Sequence, residues 1–274
     1  MSEPSNVVPF EKRRFRSAAE HYLKGRPAYP EALFDRVSVL TDMVVLDDAV
    51  LDLGCGPGQI ALGFAPYAGP ITAMDPEPEM LRIAAAMAEA APHDFGKKIR
   101  FVEGSSFDLT PALGTFFLVA IGRAFHWMDR KDTLEKLDRM IEPGGAVALF
   151  GDRHPELPQN AWRRVYETVL DKYSADDSAR KLRKSAEFGS HESVLLASPF
   201  SSLERIGIVE EHVTPIEDFD ARLLSLSSVS RDKIGDRADD MIAEFRAEMA
   251  PYIVNDAVTE IIESQALIAS RSPR

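Results

Sequence analysis

Three closely spaced glycines in Asp52-Leu53-Gly54-Cys55-Gly56-Pro57-Gly58 restrict what this chain can fold into more than any other stretch. The run directly follows AVLDL (49–53), a short β-rich apolar segment, and directly precedes a segment of helical patterning, Gln59 to Tyr67. Glycine takes positive φ without steric penalty and lets another group reach the main chain where a β-carbon would otherwise stand. Bared backbone between a strand and a helix is either a tight turn or a seat for a ligand. Asp75 favours the seat. It ends the next predicted strand 19 positions after Gly56, near the ~20-residue separation at which a carboxylate meets ribose hydroxyls in nucleotide-binding units.

Around this loop, apolar runs and helical patterns alternate. Strands are predicted at 49–53, 71–75, 98–103, 116–122 and 145–151. Helices are predicted over Gln59–Tyr67, Pro78–Ala91 and about Lys131–Ile141, the last stopped by Pro143 and the Gly144-Gly145 pair. Such alternation belongs to the α/β class, whose parallel strands are covered on both faces and read as continuous apolar runs. Upstream, residues 10–24 carry Phe15, Ala18, Ala19 and Tyr22 on one stripe and read as a helix ended by Gly25 and Pro27, with a second helix after Pro30. After Gly151 the alternation lapses. Ala161–Lys184 and His191–Ala197 read as helical, 203–215 as a sixth strand, Ala221–Ser228 and Arg237–Ala250 as helices, and 263–271 as a seventh strand. This divides the chain into an N-terminal helical cap (1–32), a ligand-binding core (33–151), a helical insertion or lid (152–202) and a C-terminal return to the core with its own helical insertion (203–274).

Charge and cysteine content narrow the partners. With 32 basic against 44 acidic residues the net charge is -12, which repels a polyanion, so no nucleic acid is expected. The cluster Lys12, Arg13, Arg14 and Arg16 beside Phe15 reads as a solvated helix face, with a phosphate-binding arm as the alternative. Cys55 is the only cysteine, which excludes an internal disulfide and a cysteine-rich zinc site and suits a reducing compartment. The start, MSEPSNVVPFEKRRF, lacks an apolar stretch of signal-peptide length, and nowhere do about 18 uncharged apolar residues run together. A cytoplasmic protein with no membrane partner is the expectation. No metal is expected, since HESV (191–194) has no second histidine at zinc-protease spacing. Only the first eight residues and the last four read as disordered.

The glycine loop departs from the dinucleotide pattern, because Gln59 stands where a third glycine belongs and Gly58 comes one place early. It resembles motif I of class I S-adenosylmethionine (SAM)-dependent methyltransferases, in which an acid on the first strand precedes a GxGxG loop. AMDPEPEML (73–81) resembles that family's second motif, EGSSFDL (103–109) stands where relatives often read GDAEDLP, and IEPGGAVALF (141–150) resembles the helix end and fifth strand. GRAFHWMDR (122–130) and HYLKGRPAYP (21–30) are similar to the type 11 subgroup. The resemblance implies a Rossmann-like fold: a seven-stranded, mostly parallel sheet with helices on both faces, an N-terminal helical cap and a C-terminal helical insertion. It also implies SAM as cofactor. Gly54, Cys55, Gly56 and Gly58 would lie against its methionine and ribose part, Asp75 on the ribose diol, Pro76 or Glu77 beside the adenine, Ser105, Ser106 and Phe107 along the adenine ring, and Gly122 at the tip of the fourth strand. Ser105 and Ser106 replace the acid and alanine usual there, and a serine hydroxyl can still accept from an exocyclic amine. In relatives the N-terminal helix folds over the cofactor, which would bring Tyr22 and Arg26 to the methionine carboxylate. A surface charge before a proline turn is the alternative for Arg26.

A sulfonium leaving group is already activated, so the protein chiefly aligns a nucleophile with the methyl and excludes water. A base is needed only where the acceptor must lose a proton. His126 is the candidate, just beyond the fourth strand at the carboxyl edge of the sheet, where open α/β folds bind ligands. A packing role is its alternative. In the same loop Arg123 is a candidate contact for an acidic acceptor and Trp127 a pocket wall, while Asp129 and Asp132 read as caps of the next helix. Trp162 and Tyr166, four apart on a helix, read as core contacts. The expected activity is methyl transfer to O, N or C of a small-molecule acceptor. Methylation of nucleic-acid bases is disfavoured by GRAF (122–125) in place of an NPPY-like run. A non-catalytic SAM-binding protein stays open as a second class, and an NAD-dependent oxidoreductase, which Gln59 disfavours, as a third.

Overall fold

Strands β1 (Val50–Leu53) and β2 (Ile71–Asp75) are buried along their whole length, as strands covered on both faces must be. The computed structural model, which describes residues 7–272, joins them with β3 (Ile99–Glu103), β4 (Phe116–Gly122), β5 (Ile141–Arg153), β6 (Ser202–Pro215) and β7 (Ala257–Ser270) into one sheet of order β3-β2-β1-β4-β5-β7-β6. The first five run parallel, while β7 pairs antiparallel with both β5 and β6. The chain reverses its direction of travel across the sheet between β1 and β4. Beyond the carboxyl ends of those strands a crevice opens.

Alternate residues of each strand feed two cores. On one face Val50, Ile71, Leu118, Ala146 and Ala148 pack with α2 (Glu31–Leu40) and α3 (Gln59–Phe64), and with Ala88 of α4 (Pro78–Glu89). On the other, Leu51, Leu53, Val119, Val147 and Leu267 pack with Leu134 and Leu137 of α5 (Arg130–Leu137) and Leu195 of α8 (His191–Leu196). A third core has no strand centre. It joins α6 (Arg163–Tyr173), α9 (Ile216–Leu224) and α11 (Arg237–Met249) through Trp162, Leu170, Phe219, Leu223, Phe245 and Met249. Trp162 and Tyr166 are core contacts there, as expected.

Two short helices remain: α7 (Ser178–Lys184), whose Ala179 packs with Val8 and Phe188, and α10 (Arg231–Ile234), which lies against α11. The cap helix α1 (Ala19–Gly25) lies on α9 so closely that a β-carbon on Gly25 would stand 2.4 Å from the Ala221 carbonyl carbon. Beneath it sits a buried ionic knot. Arg222 donates from Nη1 and Nη2 to Glu260 at 2.9 and 2.7 Å, and the same carboxylate meets His154 Nε2 at 2.8 Å and accepts from Thr214 Oγ1 at 2.6 Å. Gly25→Ala is expected to destabilise the protein by about 1–3 kcal/mol, read as a drop in thermal midpoint, because backbone cannot yield as a side-chain tip can.

Several expected boundaries move for identifiable reasons. Helix α1 starts at Ala19 rather than residue 10. The four cations ahead of it are drawn to four separate acids rather than to a common face: Lys12 to Glu103, Arg13 to Glu77, Arg14 to Asp177 and Arg16 to Asp232. The long helix expected over 161–184 breaks in two, because Ser174 Oγ back-bonds to the Leu170 carbonyl and Asp177 caps α7 by accepting from Arg180 N at 2.6 Å. Strand β5 begins at Ile141, which pairs with Phe116 across a register shift, and β7 begins at Ala257 because it pairs along all of β6. Helix α9 spans 216–224 instead of 221–228. Asp129 caps α5 as expected, whereas Asp132 pairs with Lys136 instead. Of the ends expected to be disordered, residues 1–6 and 273–274 lie outside the described residues. Within the described part, Val8 is buried and the Arg271 guanidinium donates to Asp138.

Candidate active site

The tips of β1, β2, β4 and β5 converge on the crevice. At the first tip Gly54 and Cys55 both donate backbone N–H to the Met74 carbonyl, at 2.8 and 3.0 Å, which folds the glycine loop over the end of β2. Gly56 sits at φ +52, and a β-carbon there would meet nothing nearer than Met80 Sδ at 4.0 Å. Conformation, not crowding, requires glycine at this point, and the space beside it is open. Asp75 locks the turn: Oδ2 accepts from Gly56 N and Oδ1 from Glu77 N, both at 2.9 Å. Burial pushes its carboxyl up to about 6 against the pull of those two N–H groups. Asp52, wholly buried, accepts from Ala61 N at 2.9 Å and is pushed up by burial to about 7, while its Oδ1 has no partner.

Two adjoining hollows share Phe15, Gly54, Asp75, Ala124 and Trp127. The smaller, about 90 Å³, is roofed by the segment Pro9–Phe15 and floored by Asp75, Pro76, Ser105 and Ser106. The larger, about 310 Å³, brings together Tyr22, Arg26, Gly56, Gly122, Arg123 and His126. Cys55 lines a third, small hollow with Tyr22, Asp52, Gly122 and Arg123. Two expected contacts lie apart from all of these. Gly58 begins α3 at φ +81 and packs on Ala84, and Phe107 is exposed, set edge-on to Phe10. The Ser105 hydroxyl donates to Asp108 and accepts from Phe107 N, so it is already engaged in its own turn.

Within the larger hollow His126 lies tilted against Trp127 and stacked on His191. Burial, with Arg183, His191 and Arg26 around it, holds the imidazole well below its ordinary value, so it is neutral at pH 7. Arg123, at φ +51, donates to Asp152 and to the Pro27 carbonyl and lies over the Tyr29 ring. Its charge is answered inside the protein. Arg26 has a buried Nε with no hydrogen-bond partner. Residues that the sequence motifs do not single out also line this space: Asp152, Arg180, Arg183, Ser227 and Ser228. Asp152 had a readable signal, its place at the carboxyl end of β5. The others had none, because they come from the part of the chain without a motif. Among the described residues no group of three His, Cys, Asp or Glu is placed to hold a metal, and no helix is long and apolar enough to cross a membrane.

Residues 50–145, which carry the glycine loop, Asp75 and the His126 loop, match the family described as a methyltransferase domain. Over these residues the chain carries a methyltransferase domain. Over 122 residues the chain is 36% identical to malonyl-[acyl-carrier protein] O-methyltransferase of Enterobacter lignolyticus, a match that covers 43% of this chain and 45% of that relative. The chain thus spans less than half the length of that curated relative. Among solved structures, a protein of Anaeromyxobacter dehalogenans described as a type II methyltransferase superposes with a TM-score of 0.60, at 24% identity, over 90% of this chain and 97% of its own. A SAM-dependent methyltransferase of Geobacter sulfurreducens, solved with S-adenosyl-L-homocysteine, gives a TM-score of 0.54 at 15% identity, over 97% and 99%. These likenesses agree with the Rossmann-like sheet of this chain. The donor set fits the family's cofactor: a carboxylate at a strand tip for a diol, open main chain at Gly56, an unpartnered Arg26 Nε for a carboxylate, and an unpartnered Asp52 Oδ1 facing the small third hollow.

Proposed function

We propose that the chain transfers a methyl group from SAM to a small-molecule acceptor held in the larger hollow. The observation that carries this reading is the junction of two hollows at Asp75, Gly54 and Trp127, one closed over by the N-terminal segment and one edged by four arginines. When bound, the cofactor supplies a methyl group on a sulfonium that leaves as a neutral thioether. Asp75 would accept from the ribose hydroxyls, Pro76 and Ser106 would flank the adenine, and Tyr22 with Arg26 would hold the methionine carboxylate. Trp127 separates the two sides and excludes water from the reacting atoms. His126 faces the acceptor. Its neutral imidazole can take a proton from a hydroxyl or donate an N–H to an anion. In this reading residues 1–32 act as a cap and 152–202 as a lid.

Calorimetric titration with S-adenosylhomocysteine and with NADH tests the cofactor side: the first is expected to bind and the second not, and the reverse would end the proposal. His126→Ala should leave S-adenosylhomocysteine affinity within about threefold while lowering turnover by about tenfold or more. A non-catalytic binder would show no turnover to lose.

Asp75 also gives the affinity a pH dependence. Its raised carboxyl stabilises the free folded protein fully below about pH 4, and that contribution is lost as pH rises through about 6. Ribose hydroxyls, by contrast, donate to the ionised form. Affinity for S-adenosylhomocysteine is therefore expected to rise by about tenfold from pH 5 to pH 7.5. A flat profile would show that Asp75 does not carry the contact.

A further inference from the structure

We infer that the acceptor is a small carboxylic acid, its carboxylate held by the terminal amino groups of Arg183 over Trp127. The inference rests on the methyl-transfer reading above and adds the substrate class to it.

The whole chain carries a net charge of -12, yet the larger hollow is lined by four arginines, 26, 123, 180 and 183, against two carboxylates, Asp75 and Asp152. Three of these six charges are settled within the protein. Arg123 pairs with Asp152, and Arg180 turns to Asp171 at 2.7 Å. Among the described residues, Arg26 and Arg183 have no carboxylate within ion-pairing distance. The cofactor brings one carboxylate of its own, which Arg26, beside Tyr22, is placed to take. One guanidinium is left over.

Arg183 sits with its guanidinium 4.2 Å from the centre of the Trp127 ring, where Arg14 also lies at 4.5 Å. Its one hydrogen bond runs from Nε to the Ala179 carbonyl at 3.3 Å, so among the described residues both terminal amino groups lack partners. Stacking fixes the plane of the fork, and a fixed fork matches the two oxygens of a carboxylate. Burial and the charge of Arg14 push this guanidinium down to about 10 against the lesser pull of Asp177, which is already paired with Arg14, so Arg183 lacks a carboxylate of its own. An anion in the hollow supplies it.

A carboxylate acceptor asks of the neutral His126 only an N–H donated to the anion. Such an oxygen is already deprotonated, so no base is required. The oxygen forms a bond to the methyl carbon as the carbon–sulfur bond breaks, its electron pair returns to sulfur, and the products are a neutral ester and a neutral thioether. No proton is released.

The test supplies methyl-labelled SAM to the full chain with a panel of short di- and tricarboxylic acids, each matched to its neutral amide. Methyl esters are then read as methanol released by mild alkali. Acids are expected to give alkali-labile label and amides none. Arg183→Gln should raise KM for the best acid by about 30-fold while S-adenosylhomocysteine affinity stays within about threefold, which also reports folding, and Arg183→Lys should recover part of the loss. If S-adenosylhomocysteine does not bind the unaltered protein, the methyl-transfer reading itself fails. If it binds, and no acid of the panel is methylated or shows calorimetric binding beside it, the inference is overturned while that reading stands. An alkali-stable methyl product, or an unchanged KM in Arg183→Gln, overturns it likewise.

Discussion

Asp75→Ala is expected to weaken SAM binding by at least about 100-fold, equivalent to ~2.7 kcal/mol, with S-adenosylhomocysteine affected alike. The carboxylate has two tasks. It accepts from Gly56 N and Glu77 N at 2.9 Å each, and in the proposed complex it accepts from the ribose diol as well. Removing it leaves two N–H groups of a mostly buried turn without partners and lets the glycine loop drift from the tip of β2. Charged hydrogen bonds contribute about 1.5–3 kcal/mol each, so the loss of affinity and some loss of fold stability come together. Asp75→Asn separates the two: it keeps an acceptor for Glu77 N but turns a donor either to Gly56 N or to the sugar. Calorimetry on both variants, alongside thermal unfolding, would decide. Binding by a folded Asp75→Ala protein within tenfold of the parent would remove Asp75 from the cofactor site.

Arg222→Met is expected to lower global stability by about 3–5 kcal/mol. Glu260 is fully buried, and its partners are Arg222, His154 and Thr214. Burial alone would raise its carboxyl, yet the Arg222 and His154 hydrogen bonds outweigh burial and hold it well below the usual range. A depressed carboxyl contributes stability above its unfolded value of about 4.3 and loses it as pH falls through the folded value. The parent should therefore weaken in acid, and Arg222→Met should lose much of that dependence along with its stability. Denaturant unfolding at pH 7 and pH 2 measures both. The double variant Arg222→Met, Glu260→Leu should regain much of the loss, since the penalty comes from stranding a buried charge rather than from lacking an ion pair. Equal stability of parent and Arg222→Met at pH 7 would contradict the account.

What the sequence disclosed and what it withheld divide along physical lines. Strands β1, β2 and β4 fell where continuous apolar runs placed them, because burial on both faces leaves little freedom in composition. The glycine loop and Asp75 were legible together, since each is bound to a backbone geometry that few residues satisfy. The N-terminal segment was not. Its stripe of Phe15, Ala18 and Tyr22 suits a helix, but four ion pairs to distant acids hold residues 12–16 as turns. The break between α6 and α7 turns on two side-chain to backbone hydrogen bonds, from Ser174 and to Asp177, that periodicity does not register. Arg123 was legible as a charge at the right strand tip. That Asp152 answers this charge, while Arg183 remains unanswered, is a property of tertiary packing alone.

The sheet order has a consequence for how such a protein can diversify. The walls around Asp75 are strand tips, held in register by the parallel ladder of β1, β2 and β4. Arg180 and Arg183 lie instead on α7, in the excursion between β5 and β6, and Ser227 and Ser228 in another between β6 and β7. Both excursions leave and rejoin through the antiparallel end of the sheet. In the proposed reading, swapping either for its counterpart from a related chain would exchange acceptor specificity without shifting one rung of the ladder that holds Asp75, so new chemistries can be sampled while the costly half of the machine is inherited intact.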